Sequence, residues 1–292
     1  MKIGALEAGG TKMVCAIGDE NGTIMERISI PTENPEITMP KIIEFFKTAK
    51  VEAIGVGCFG PVDLNKASAQ YGYITSTPKL SWRNYNILGD LKEKLNVPVG
   101  FDTDVNAAAL GEATYGITKG LDVSLYITIG TGVGVGVYIN GQLLHGMLHP
   151  EAGHILIKKH DEDTFEGCCP YHKDCFEGLA AGPAIGKRYG KSAVELSDCK
   201  EVWELEANYI AQALVNYTCM LSPNRIVLGG GVMHQTQLYP LIREEYKKIM
   251  NGYIDTKEVR DIENYIVAPT LKDNQGILGC LELAKREVLF LS

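Results

Sequence analysis

Apolar runs broken by glycine turns open this chain, and the same order of runs and turns returns near its middle. Residues 2–25 read as a strand (Lys2–Leu6), the turn Glu7-Ala8-Gly9-Gly10-Thr11-Lys12, a strand (Met13–Ile17), an Asn21-Gly22 turn and a third strand. Residues 123–144 repeat the plan: a strand (Val123–Ile127), the turn Thr128-Ile129-Gly130-Thr131-Gly132-Val133-Gly134, a strand (Val135–Ile139), an Asn140-Gly141 turn and another strand. Asn-Gly suits type I′ hairpins, whose two central residues both need positive φ. Each half therefore opens on an antiparallel meander with a glycine-rich first turn, which points to a duplicated domain.

Helix–strand units follow each meander. An amphipathic helix over Pro40–Lys50 is predicted to bury Ile42, Ile43, Phe45 and Phe46 and to lead into the apolar strand Ala53–Cys58. A helix near Ile87–Leu95, a strand Val97–Phe101 and a helix Val105–Tyr115 come next, with Asp102-Thr103-Asp104 at the strand's carboxyl end. The second half adds a long helix Val202–Leu221, a strand Arg225–Leu228 ending in Gly229-Gly230-Gly231, a further helix, a strand Asn264–Ala268 and a last helix from Gln275. An antiparallel meander extended by parallel strands, twice over, predicts an α/β protein of two mixed layers with a cleft between them. The expected division is residues 1–116 and 117–274, hinged near Tyr115–Leu121, with a helix over 275–288 packing back on the first half.

Composition narrows the partners. The 292 residues are 45% apolar and carry a net charge of -8, which offers no basic field to nucleic acid or anionic lipid. No apolar run approaches the ~20 residues of a membrane span, and Met1-Lys2-Ile3-Gly4 runs into a strand pattern rather than a leader. Eight cysteines over this length are too few for a disulfide scaffold, so a reducing cytoplasm is expected.

The chemistry concentrates in a few places. Glycine turns can present backbone N–H groups to phosphate, and two of them, each with a hydroxyl residue (Thr11, Thr131), could hold two phosphates of a nucleotide. The run Gly130-x-Gly132-x-Gly134 precedes a strand and lacks dinucleotide-binding spacing; Gly190-Lys191-Ser192 has Ile185 where a P-loop needs glycine. Gly229-Gly230-Gly231 ends a buried strand, where ligands bind in open sheets, although a plain strand-to-helix turn reads the same way. Asp104 is either a general base or a helix cap, a role that Thr103 or Asp102 could also fill. From Glu151 to Glu177 soft ligands crowd together: His154, Cys169, His172 and Cys175 would complete a tetrahedral zinc site. The alternative is a surface loop with reactive thiols. The flanking carboxylates Glu151 and Glu177 suit vicinal hydroxyls, hence a polyol or sugar pocket.

Together these motifs resemble the ROK family of bacterial sugar kinases over essentially the whole chain. Glu7–Lys12 and Thr128–Gly132 match its two phosphate hairpins, Gly60-Pro61-Val62-Asp63 its sugar-domain turn, Asp104–Glu112 its base segment, and Glu151-Ala152-Gly153-His154 with Cys175-Phe176-Glu177 its zinc-and-sugar signature. The resemblance implies two ribonuclease-H-like (actin/hexokinase-type) domains with an interdomain cleft. It also implies ATP- and Mg²⁺-dependent phosphorylation of a hexose at O6, with Asp104 as base. Gly9, Gly10, Thr11, Lys12, Gly130, Thr131, Gly132, Gly230 and Gly231 would hold the nucleotide. Gly60, Thr103, Glu151, His154 and Glu177 would hold the sugar, and His154, Cys169, His172 and Cys175 the Zn²⁺, so that His154 serves twice. Three departures stand out: Glu7 replaces an Asp, Thr103 replaces an Asn, and Cys169-x2-His172-x2-Cys175 replaces a denser cysteine cluster, leaving Cys168 aside. All three resemble the fructokinase branch of that family. Glucokinase, mannokinase and N-acetylmannosamine kinase activities, or a non-catalytic sugar sensor, are the alternatives; a repressor of this family would carry a helix-turn-helix ahead of the first hairpin. A homodimer is implied by the resemblance alone.

Overall fold

The computed structural model describes residues 1–291. In chain order it forms β1 (Lys2–Ala8), β2 (Lys12–Asp19), β3 (Ile24–Pro31), α1 (Pro35–Ala49), β4 (Ala53–Cys58), β5 (Tyr73–Ile74), β6 (Tyr85–Asn86), α2 (Ile87–Leu95), β7 (Val99–Thr103) and α3 (Asp104–Tyr115). Next come β8 (Val123–Ile129), β9 (Val133–Ile139), β10 (Gln142–Leu143), α4 (Phe176–Ala180), α5 (Gly182–Tyr189) and α6 (Lys200–Leu221). The chain closes with β11 (Arg225–Gly229), α7 (Leu238–Met250), α8 (Lys257–Arg260), α9 (Ile262–Tyr265), β12 (Ile266–Val267) and α10 (Gln275–Leu291).

These elements build two compact units. One comprises Met1–Gly120, Gln142–Pro150 and the chain from Thr270; the other comprises Leu121–Gly141 and Glu151–Pro269. The excursion of 142–150 into the first unit departs from the expected single division near Tyr115–Leu121. It is tied there by two histidines: His145 Nε2 lies 2.8 Å from Asp102 Oδ2, and His149 Nε2 accepts from the Val62 N–H at 3.3 Å.

The first unit's sheet runs β3-β2-β1-β4-β7, and the second unit's strands run β9-β8-β11-β12. β1 is antiparallel to β2 and parallel to β4, just as β8 is antiparallel to β9 and parallel to β11. The duplicated plan is therefore present in the pairing itself. In the second copy the meander's third strand shrinks to β10, two residues long. The Asn-Gly turns also differ. Asn140 and Gly141 both have positive φ, as type I′ demands, whereas at the first turn only Gly22 does. There the Asp19 carboxylate accepts from the N–H groups of Asn21 and Thr23, which holds a wider loop.

Several boundaries differ from the sequence reading. α1 begins at Pro35 rather than Pro40, with a proline at its first positions where no N–H is needed; Pro40 sits inside it. Ile42 and Phe46 are buried, while Ile43 and Phe45 are only partly covered. The expected strand Asn264–Ala268 is shorter: its first two residues end the helical turn α9, which leaves β12 two residues.

β4 is buried along its whole length, because apolar layers cover both faces. Ile54 and Val56 meet Ile42 and Phe46 of α1, while the other face belongs to the cluster that holds Ile277, Leu281 and Ala284 of α10. α10 lies unusually close to its neighbours. A side chain on Gly55 would collide with the Cys280 carbonyl, one on Gly111 with the Gln275 carbonyl, and one on Gly279 with the Ala107 carbonyl. This explains the small-residue composition of α3, in which Val105 to Ala113 are all buried. The buried Glu112 ties the returning chain down, accepting from the N–H groups of Ile117 and Thr270. Replacing Gly279 with Ala should push α3 and α10 apart and lower stability by about 1–3 kcal/mol. Urea unfolding with an unchanged slope and a lower midpoint is the expected result.

Candidate active site

The exit of β7 into α3 is the most densely bonded polar region of the first unit. Thr103 takes the helix cap, its hydroxyl oxygen accepting from the Asn106 N–H at 3.1 Å. That settles which residue caps: Asp104 sits in the first turn, and its carboxylate accepts the N–H of its neighbour Val105, at 2.8 Å. Burial pushes the Asp104 carboxyl above its ordinary value, opposed by that backbone bond. Thr103 itself is buried, so its hydroxyl proton is all it retains to offer a ligand. Residue order carries no sign of what lies beside it. Asp102 Oδ1 accepts from the Thr103 N–H at 2.8 Å and from the Asn106 amide at 2.7 Å, while Oδ2 faces His145. Only the fold could reveal that partner, since His145 is 43 positions away.

The first hairpin loop, Gly9-Gly10-Thr11, is closed by a bond from the Gly9 N–H to the Lys12 carbonyl at 3.1 Å. Thr32 clamps it from β3's end, its hydroxyl donating to the Gly9 carbonyl at 2.7 Å and its N–H to the Thr11 carbonyl at 3.0 Å. Thr11 and Lys12 are exposed. Glu7, at the base of this hairpin, is pushed up to about 7 by burial and then by the charge of Asp104, with Arg27 and Lys12 opposing. Gly60 closes the set: a side chain there would meet the His149 ring at 3.4 Å.

In the second unit, Gly130-Thr131-Gly132 forms the matching loop, closed by the Gly130 N–H on the Gly132 carbonyl at 2.8 Å. It adjoins the end of β11, where a side chain on Gly130 would lie 3.8 Å from the Gly231 nitrogen. Gly230 has φ +90 and would bring any side chain onto Ile129, so glycine is required there. Gly231 is open, with nothing within 4 Å of an added side chain. α5 also starts on this loop, the Gly182 N–H donating to the Gly130 carbonyl at 2.8 Å. The sequence reading did not include it.

Glu177 lies in the first turn of α4. Its Oε2 accepts from the Val133 N–H at 2.9 Å, tying it to the second hairpin, and its Oε1 is 3.9 Å from His154 Nε2. Glu151 is exposed, and its carbonyl accepts from the His154 N–H at 3.0 Å, which sets the short turn Ala152–His154. The other nitrogen of His154, Nδ1, lies 3.5 Å from Cys175 Sγ and 3.7 Å from Cys169 Sγ. His172 Nδ1 is 3.7 Å from Cys169 Sγ. All four ligand atoms fall within 4.8 Å of one another. Cys169 and Cys175 are buried, and burial pushes the Cys175 thiol up to about 12, which is not the character of a reactive surface thiol. Cys168 stands outside the group.

A duplicated sheet with a glycine hairpin in each copy is the architecture of actin- and hexokinase-type phosphotransferases. A ROK hexokinase from Thermus thermophilus is similar throughout, with a TM-score of 0.81 and 26% identity over 99% of this chain and 100% of that one. Within that class, this chain belongs to the ROK family, whose profile matches residues 3–287. It is 56% identical to a relative in Bacillus subtilis (strain 168) over 97% of this chain and 95% of that protein. It is 48% identical to the fructokinase of Pediococcus pentosaceus over 98% of each chain, and 46% identical to the fructokinase of Lactococcus lactis subsp. cremoris over 96% of each. Among the described residues, no helix is long and apolar enough to cross a membrane.

The two histidines of segment 142–150 titrate in opposite directions. The hydrogen bond to Asp102 holds His145 above its ordinary 6.5, against the opposing effect of burial. Burial holds His149 below 6.5, against the charge of Asp102. The His145 contribution to stability is therefore full below about pH 6.5 and lost as pH rises through its folded value; that of His149 is full above about 6.5 and lost as pH falls below it. Carbon-13 histidine titration should show one ring on each side of 6.5, and Asp102→Asn should move His145 downward. An unmoved His145 would refute the pairing.

Proposed function

We propose that this chain is an ATP-dependent fructokinase, transferring the γ-phosphoryl group of ATP to the O6 hydroxyl of fructose. The observation that carries the reading is Asp104, a carboxylate raised by burial and not spent on capping its helix. A phosphoryl transfer to an alcohol forms an O–P bond, releases ADP and liberates the hydroxyl proton; Asp104 accepts that proton. Gly9, Gly10, Thr11 and Lys12 of the first hairpin, and Gly130, Thr131, Gly132, Gly230 and Gly231 of the second unit, bind the nucleotide through backbone N–H groups and side chains. Glu151, His154 and Glu177, with Gly60 and the Thr103 hydroxyl, orient the sugar. The fructokinase relatives at 46–48% identity favour fructose over other hexoses.

Two metals fit the residues present. Burial, and then the charge of Asp104, raise Glu7 to about 7. A nearby divalent cation would favour the charged form of both carboxylates, so Glu7 and Asp104 are the residues that would face Mg²⁺. Bound there, Mg²⁺ would neutralise charge on the transferring phosphates. For zinc, tetrahedral bonds of about 2.3 Å to sulfur and about 2.0 Å to nitrogen place those ligands about 3.5 Å apart. The observed separations of 3.5 and 3.7 Å match. Zn²⁺ would fix the loop, so that His154 Nε2 faces Glu177 and the sugar. We further propose a cytoplasmic homodimer.

A coupled assay across fructose, mannose, glucose and the N-acetylated hexosamines tests the substrate, with fructose expected to give the highest kcat/KM. Asp104→Asn should lower kcat at least ~10²-fold with sugar affinity little changed; near-normal turnover would remove Asp104 from the chemistry. Metal analysis should find one zinc per chain, lost in Cys169→Ser and Cys175→Ser and kept in Cys168→Ser. Equal loss in all three would break the ligand assignment.

A further inference from the structure

The first hairpin has a neighbour to which the sequence assigned no role. A methyl group placed on Gly10 would come within 3.3 Å of Lys79 Cε, so the lysine's carbon stem lies over the glycine loop. Lys79 is half-buried, and among the described residues no carboxylate pairs with its ammonium. An ammonium without an anion, lying over a loop shaped for phosphate, is a charge waiting for a ligand.

The lysine is also held in register with that loop. The buried Thr77 hydroxyl oxygen accepts from the Lys79 N–H at 3.2 Å, and the Lys79 carbonyl accepts from the Trp82 N–H at 2.9 Å, starting a short helical turn over Leu80–Trp82. Trp82 is fully buried and packs edge-on against Phe59 and Tyr85. Its indole N–H donates to the Glu33 carbonyl at 2.7 Å. Glu33 follows Thr32, the residue whose hydroxyl and N–H clamp the Gly9 and Thr11 carbonyls. Lys79 and the glycine loop are thus two branches of one braced segment. Lys12, the loop's own lysine, is exposed.

We propose that Lys79 is a catalytic residue whose ammonium binds the phosphoryl oxygens at the first hairpin and neutralises charge on the group being transferred. This rests on the kinase reading above. The γ-phosphoryl group spreads charge over its oxygens at the transition state, and a pre-placed cation stabilises that charge more than the ground state.

Lys79→Met separates the two roles of the side chain, keeping a stem of similar length over Gly10 while removing the charge. It should lower kcat with fructose by ~10²- to 10³-fold and leave the KM for fructose within about 3-fold. Lys79→Arg should restore at least ~10-fold of the lost rate, since it returns a cation with altered geometry. A Lys79→Met enzyme within about 3-fold of wild-type kcat would overturn the proposal, as would a loss that Lys79→Arg does not relieve. If Lys79→Met does not fold, Lys79→Gln is read by the same limits. Should the wild type phosphorylate no hexose, the kinase reading fails by itself. Lys79 is then judged by calorimetry with a non-hydrolysable ATP analogue and Mg²⁺, where at least ~10-fold weaker binding in Lys79→Met supports the contact and unchanged binding overturns it.

Discussion

A carboxylate removed from water at the end of a strand must be met by donors or give up its charge. Asp102 is met by three: the Thr103 N–H, the Asn106 amide and the His145 ring. Each bond fixes something different. The first two lock the last residue of β7 to the first turn of α3, and so hold Asp104 between them in a defined backbone position. The third draws residues 142–150 into the first unit, where His149 secures them a second time on Val62. The segment that leads into Glu151-Ala152-Gly153-His154 is therefore anchored at the end of β7 by the same carboxylate.

Close backbone approach does comparable work on the other side of α3. Glycines at 55, 111 and 279 let α10 sit against β4 and α3 with no side chain between them. Helices packed this closely have little freedom to shift, because interiors are as dense as organic crystals. The N-terminus of α3, where Asp104 sits, inherits that rigidity. In the second unit Glu177 has the linking role. One oxygen holds the second hairpin at Val133 and the other faces His154, whose far nitrogen sits among the thiols.

Much of this was legible from residue order. The two meanders, β4, α2, α10 and the duplicated plan follow from apolar periodicity and glycine turns, because those signals are local. The Cys-x2-His-x2-Cys spacing was likewise legible as a grouping, and the fold brings Cys169, His172 and Cys175 together with His154. The departures occur where local rules compete. Asp19 turned an apparent type I′ turn into a wider loop by offering its carboxylate to two N–H groups. α9 took residues that alternation had assigned to β12.

The sequence by itself determined which residue types stand at each turn, strand end and helix start, and hence that a phosphate-binding, carboxylate-bearing α/β protein would result. Only tertiary structure decided which of Asp102, Thr103 and Asp104 caps α3. Their spacing makes all three eligible, and the choice depends on donors brought from Asn106 and from His145. It likewise decided that Lys79 lies over Gly10, a pairing of residues 69 positions apart that no periodicity encodes. Contacts of that range are set by how the layers pack, and packing is a property of the folded chain as a whole.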